Sequence, residues 1–428
     1  MADEIILVIG TQANSNSMPN LAPGMISGVG GPGTAGSPRE RRNFDRKIRG
    51  VGAPRWQERR PTVTSCINRS LFLLASLFAA SFAPAQELHR DVFAAGTEEY
   101  HTFRIPSLIA SAKGTLLAFC EGRKSARNDT GNIDLVLRRS TDGGKTWGPL
   151  QIVWDDGLNT VGNPCPVVDR RTGTIWLPIT RNLGVDKQRE IVAGTSQGTR
   201  EAWITKSTDD GLTWSTPIEI TAQVMAPNAR WFATGPGVGI QLESGRLVIP
   251  CDYSVAGKTV EYAFVMFSDD DGVTWKAGGS TEENCGEAQV VELPDGSLLM
   301  NMRHVGGGKN RRTAISKDGG LTWSRVFDDK TLVDPGCQGS IVRRTAATSS
   351  KRNRLYFSNP ASLKRERLSI RFSDDDGKTW SAERVIHAGP AAYSCSTVLP
   401  DGSVAVLFEC GDKGAYERIR LVTLPEEG

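Results

Sequence analysis

Ser140-Thr141-Asp142-Gly143-Gly144-Lys145-Thr146-Trp147 decides the fold, because its pattern, Ser-x-Asp-x-Gly-x-Thr-Trp, returns four more times. The further copies begin at Ser207 (Asp209, Gly211, Trp214), Ser268 (Asp270, Gly272, Trp275), Ser316 (Asp318, Gly320, Trp323) and Ser373 (Asp375, Gly377, Trp380). Asp-to-Asp intervals of 67, 61, 48 and 57 residues are irregular, yet each is near the length of one supersecondary unit. The residue types suit a tight turn: Asp accepts hydrogen bonds from turn amides, Gly permits positive φ, and Thr-Trp is expected to restart a strand with a large apolar anchor. Each copy therefore reads as a stapled hairpin, and its Asp and Trp as structural residues without chemistry. Strand-like segments precede the turns at Ile133 to Arg139, Glu201 to Lys206, Glu261 to Phe267, Arg312 to Ile315 and Leu368 to Phe372.

A second motif alternates with the first, a Gly-containing turn followed by an apolar strand. It occurs at Gly114 to Arg123, Gly173 to Arg181, Gly245 to Tyr253, Gly296 to Arg303 and Gly402 to Glu409, with a looser copy at Asn353 to Asn359. Repeated four-stranded units that protect their edges by radial arrangement make a propeller. The expected fold is thus all-β, a six-bladed β-propeller of four-stranded antiparallel blades, with about 57 residues per blade over residues 86–428. If each Gly-turn strand runs away from the Asp-containing turns, its far end lies on the opposite face. Those ends carry Arg123, Arg181, Tyr253, Arg303, Asn359 and Glu409, expected around one central opening. Guanidinium groups that converge there need a compensating anion, and Arg suits a carboxylate through paired hydrogen bonds. A small anionic ligand follows.

The leader explains the charge. Of 51 Lys and Arg and 48 Asp and Glu, 10 and 5 fall in residues 1–85, which leaves 41 against 43 in the rest, so the chain gives no case for nucleic acid. Residues 65–85 read as a signal peptide: Arg69, an apolar run from Leu71 to Phe82, and Ala83-Pro84-Ala85 as a small-residue cleavage site, with the mature chain starting near Gln86. The run is too short to span a bilayer, which needs about 20 apolar residues. The expectation is a secreted or periplasmic protein with no membrane anchor after cleavage. Residues 1–64, rich in Gly, Pro, Ser and Arg, read as a disordered segment or an upstream start included in error. Beyond Cys66 the cysteines are Cys120, Cys165, Cys251, Cys285, Cys337, Cys395 and Cys410, without CxxC spacing, so neither a dense disulfide framework nor a zinc site is expected. With four histidines in the chain, carboxylates, arginines and tyrosines must carry any catalysis.

On these repeats, and on Phe103-Arg104-Ile105-Pro106 ahead of them, residues 88–425 resemble the bacterial and animal sialidase family. Its mark is a Phe/Tyr-Arg-Ile-Pro motif upstream of several Asp boxes. The resemblance implies an exo-α-sialidase that removes terminal α-linked sialic acid from glycoproteins, glycolipids or oligosaccharides by a retaining mechanism. It implies that Arg104, Arg303 and Arg365 hold the substrate carboxylate, with Arg365 preferred to Arg367 on its Arg-x-x-Leu pattern, and that Glu409 orients the first arginine. Tyr393 resembles the family nucleophile, since sialidases use tyrosine in place of one carboxylate. Glu287 resembles the base that takes its proton, and Asp129 the acid/base, with Asp134 in the following strand as a rival. Arg123 resembles an arginine that flanks the acid/base and contacts the sugar, and Asn163 and Trp231 are expected to line the pocket. No metal or organic cofactor is implied. The expected partner is the sialylated glycan, and the chain is expected to be monomeric. A non-catalytic glycan-binding propeller and a trans-sialidase stand as alternatives.

Overall fold

Alternation of turns and apolar strands produces a chain that is almost entirely strand. The structure, a computed structural model, describes residues 88–345 and 353–425; the leader and signal readings, residues 1–85, lie outside them. Among the described residues the only helices are short, Gln188–Ala193 and Thr221–Val224, and none is long and apolar enough to cross a membrane. The strands form sheets of seven, nine, five and four strands, antiparallel but for one parallel pairing of Ile133 with Thr160 in the nine-stranded sheet, a propeller-like all-β architecture. The four-stranded sheet shows the unit plainly: Cys285–Glu292, Leu298–His304, Asn310–Ser316 and Phe327–Val333 pair in chain order. The seven-stranded sheet is longer because the 15-residue strand Arg384–Val398 pairs with Glu366–Ser373 by its first half and with Val404–Cys410 by its second. The first described strand, Leu88–Ala94, pairs with the last, Arg418–Leu424, so the two ends of the described chain meet in one sheet.

All five predicted turns are stapled hairpins. In the first, Asp142 accepts from the Thr146 amide (2.9 Å), the Thr146 hydroxyl (2.6 Å) and the Ser140 hydroxyl (2.8 Å), while Ser140 Oγ accepts from the Gly144 amide. The same contacts recur around Asp209, Asp270, Asp318 and Asp375. The turn glycine is required twice over. Gly144 has φ +86°, and a Cβ there would meet Leu421 at 2.4 Å; Gly211 presses in the same way on Leu117. The repeat thereby joins each hairpin to strands of a neighbouring unit. One expectation fails: Thr-Trp does not restart the strand in four of the five copies, where pairing resumes four residues later, at Gln151, Ile218, Phe327 and Arg384. The indole packs across units whether or not the strand restarts: Trp214 meets Phe119 edge-on at 5.7 Å, and Trp275, in the copy where the strand does restart at Lys276, meets Trp176 at 6.3 Å. Such pairs add about 0.5–1.5 kcal/mol beyond the area they bury.

Hydrogen bonds from the Thr146 side chain and amide hold the Asp142 carboxyl down to about 2, and Asp209, Asp318 and Asp375 behave likewise. A carboxyl depressed below its unfolded value near 3.9 contributes stability above that value and loses it as protons bind the folded form. Thermal melts should therefore show a falling transition temperature as pH drops from about 4 to about 2. Asp209→Asn should flatten that dependence in proportion to its share.

Candidate active site

Strand pleating alternates side chains between faces, and a bulge breaks that alternation to re-aim one of them. The pairing ladder slips at Arg104/Ser107, at Cys285/Ala288 and at Ala391/Ser394, and these irregularities carry Arg104, Glu287 and Tyr393. At the first, Ile105 adopts φ +61°, an unfavourable conformation for a β-branched residue. It is held by Glu409, which accepts from the Ile105 amide at 2.9 Å. The three side chains converge on a cavity of about 260 Å³.

Nine of the ten side chains expected at a site line this cavity: Arg104, Arg123, Asp129, Asn163, Trp231, Glu287, Arg303, Arg365 and Tyr393. The tenth, Glu409, lies behind the wall, fully buried. It accepts from Arg104 Nε (3.1 Å), Arg104 Nη2 (3.4 Å) and the Tyr393 amide (3.1 Å). One carboxylate thus fixes an arginine and the backbone of the tyrosine together. Tyr393 donates its phenol hydrogen to Glu287 Oε1, and Arg303 Nη1 donates to Glu287 Oε2 at 2.9 Å and to the phenol oxygen at 3.3 Å. The guanidinium groups of Arg104 and Arg365 lie 5.1 and 5.4 Å from the centre of the Tyr393 ring. Arg365 Nη1 donates to the Tyr416 hydroxyl at 2.7 Å, and Arg104 stacks on the Tyr416 ring at 4.3 Å. Three cations therefore stand around one phenol.

Burial raises the Tyr393 phenol well above its usual value and Glu287 adds to this, while Arg303 and Arg104 oppose it. The phenol is neutral near pH 7 and is bonded to the Glu287 carboxylate. Asp129 lies on the rim with its side chain 73% exposed, and Arg123 Nη1 and Arg104 Nη1 reach its Oδ1 at 2.8 and 3.3 Å. Enclosure pushes its carboxyl up, but Arg123 and Arg104 outweigh this and hold it below the ordinary value. Asp134, the rival, is fully buried and held by Tyr100 at 2.6 Å and Lys124 at 3.2 Å, outside the cavity wall. Arg367 is paired with Glu383 at the surface, which leaves the cavity to Arg365.

Besides Glu409, three of the strand-end residues expected at the opening do not reach the cavity. Arg181 pairs with Asp156 and Glu201, Tyr253 bonds Ser280 and stacks on Tyr262, and Asn359 donates to the Val333 carbonyl. For Tyr253 the error is one of parity: its neighbour Asp252 faces the cavity instead. Sequence reasoning also missed Glu121, Gln188, Arg200 and Glu261 in the cavity wall, and Tyr416 behind it. Glu121 had a signal, since it stands two residues before Arg123 on the same strand face. It binds Arg123 at 2.6 Å and accepts from the Asn163 amide at 3.0 Å. Arg200 stacks 4.4 Å from Trp231 and donates to Asn163, Asn182 and Thr180. The seven described cysteines are buried free thiols.

Comparison with known proteins points one way. Residues 114–406 match the BNR repeat-like domain. A sialidase of Micromonospora viridifaciens is 36% identical, covering 82% of this chain and 59% of its own length, and one of Bacteroides fragilis is 35% identical, covering 74% and 61%. The chain thus spans about three-fifths of the length of these two relatives. An exo-alpha-sialidase of Arthroderma benhamiae is 31% identical over 80% of this chain and 87% of its own. Among solved structures, Hadza microbial sialidase Hz136 superposes with a TM-score of 0.72 at 31% identity, over 79% of this chain and 68% of that one. On the matched repeats and these relatives together, the chain belongs to the sialidase family with BNR repeats.

Proposed function

We propose that this protein is an exo-α-sialidase that releases terminal α-linked sialic acid from glycans by a retaining, two-step reaction. The observation that carries the reading is the junction of Arg104, Arg303 and Arg365 around the Tyr393–Glu287 pair. Three guanidinium groups suit one carboxylate, and the neutral phenol can approach an anomeric carbon that bears this charge, where an anionic Asp or Glu would be repelled. In the first step Tyr393 Oη attacks the anomeric carbon and passes its proton to Glu287, as Asp129 gives a proton to the departing oxygen. In the second, Asp129 takes a proton from water, which displaces the tyrosine and frees the sugar while Glu287 returns the phenol proton. The finer architecture we read is six four-stranded blades in residues 86–428, the sixth completed by the pairing of Leu88–Ala94 with Arg418–Leu424. Entry to an extracytoplasmic compartment through residues 65–85 belongs to the same proposal.

Asp129 must enter the reaction protonated, whereas Arg123 and Arg104 favour its ion in the empty site. A substrate carboxylate on Arg104 cancels part of that pull and lifts the Asp129 carboxyl toward the protonated form. Release of free sialic acid from a sialylated glycoprotein tests the reading, and it should be fastest in mildly acid solution and decline as pH rises. Asp129→Ala should cost roughly 10²–10⁴-fold on the glycoprotein and far less on an aryl sialoside, whose leaving group needs no proton. Binding of the glycoprotein without release would leave a glycan-binding module.

A further inference from the structure

Two carboxyls in the cavity wall are not used by the proposed reaction. Asp252 and Glu261 line the cavity together with Glu287, and Gln188 donates to Glu261 at 3.4 Å. Asp252 is 2% exposed, and its Oδ1 is buried with no hydrogen-bond partner. Buried carboxyl oxygens are seldom left so, because the missing bond costs about 1–3 kcal/mol. The residue stands in the strand Leu247–Val255, paired with Ala233 on one side and Ala263 on the other, neighbours that offer it no polar side chain.

The charges facing Asp252 are Glu261, Glu287, Arg200 and Arg303. Burial pushes its carboxyl well above the ordinary value, with Glu261 and Glu287 adding and Arg200 and Arg303 opposing. Glu261 is raised too, by burial and then by Glu287. A neutral acid is both donor and acceptor, and the group that matches it is a hydroxyl. A second anionic substituent would meet a wall of carboxyls, and an apolar one would leave Oδ1 unpaired.

On the reading of this cavity as a sialic acid site, we propose that Asp252 is a specificity-determining residue whose buried carboxyl hydrogen-bonds one hydroxyl of the sugar while the arginines hold its carboxylate. The test is a set of aryl sialosides, each lacking a single sugar hydroxyl, compared on wild type, Asp252→Ala and Asp252→Asn. In wild type one deoxygenated substrate should lose roughly ten- to hundredfold in kcat/KM. In Asp252→Ala that penalty should vanish for the same substrate and persist unchanged for the others, whereas Asn, which keeps a donor and an acceptor in place, should restore much of it. Because each variant is compared with itself across substrates, a partly destabilised Ala variant still gives the answer. Equal penalties in wild type and Asp252→Ala for every substrate would overturn the assignment. A wild type that releases no sialic acid from the parent sialoside would instead overturn the sialidase reading.

Discussion

Tyr393→Phe is expected to lower turnover of a sialoside by on the order of 10³-fold while leaving the fold intact, because it removes the attacking oxygen and little else. The ring packs with Ile105, Cys337, Ala392 and Ala415, none of which contacts the hydroxyl through a polar group. Glu287, deprived of the phenol, keeps Arg303 at 2.9 Å, so no buried charge is stranded. The variant should therefore melt close to wild type and still bind sialic acid through Arg104, Arg303 and Arg365. Steady-state kinetics on an aryl sialoside, with a melt alongside, check both halves. Wild-type turnover in the Phe variant would remove Tyr393 from the role of nucleophile.

The second large effect is expected at Glu409. It lies buried behind the cavity wall, yet its two oxygens collect the Arg104 guanidinium and the amides of Ile105 and Tyr393, which bind the strand Thr102–Ala110 to the strand Arg384–Val398. Removing one partner of a buried ion pair costs about 3–5 kcal/mol, since the other charge is left uncompensated. Glu409→Ala should thus lower the melting temperature strongly as well as the activity. Glu409→Gln retains acceptor capacity but not charge. Arg104 is then left with Asp129 as its one carboxylate, so kcat/KM should fall by roughly 10²-fold with a smaller loss of stability. A Gln variant as active as wild type would show that Glu409 only fills space.

The two sequence repeats made the architecture legible, because Asp-box hydrogen bonds and glycine turns are local and each residue names its own contact. The chemistry of the site was legible where it stood in a motif, as with Arg104, or in a family pattern, as with Glu287, Arg365 and Tyr393. What was not legible depended on register. Bulges at residues 104–107, 285–288 and 391–394 shift which residue faces inward, and nothing in composition marks them. Elsewhere simple parity decided: Tyr253 was expected where its neighbour Asp252 stands, and Arg181 is held outside the cavity by Asp156 and Glu201. Arg200 and Tyr416 act across distances of chain that no local pattern spans. Arg200 reaches Asn163, 37 residues away, and Tyr416 bonds Arg365, 51 residues away.

The acidic groups of the cavity wall also bear on how the site treats pH. Asp252 and Glu261 face the same cavity as Glu287, and ionising them at higher pH would place further negative charge around Glu287 and raise its affinity for a proton.

The most direct test is to incubate the protein with a fluorinated sialic acid that reacts in the first step and stalls before the second, and to map the product by peptide mass spectrometry. One sugar per chain is expected, attached to the peptide that contains Tyr393 at that residue, with no labelling in Tyr393→Phe. Attachment to Glu287, or an enzyme that turns over sialosides yet never accumulates a tyrosine adduct, would contradict that expectation.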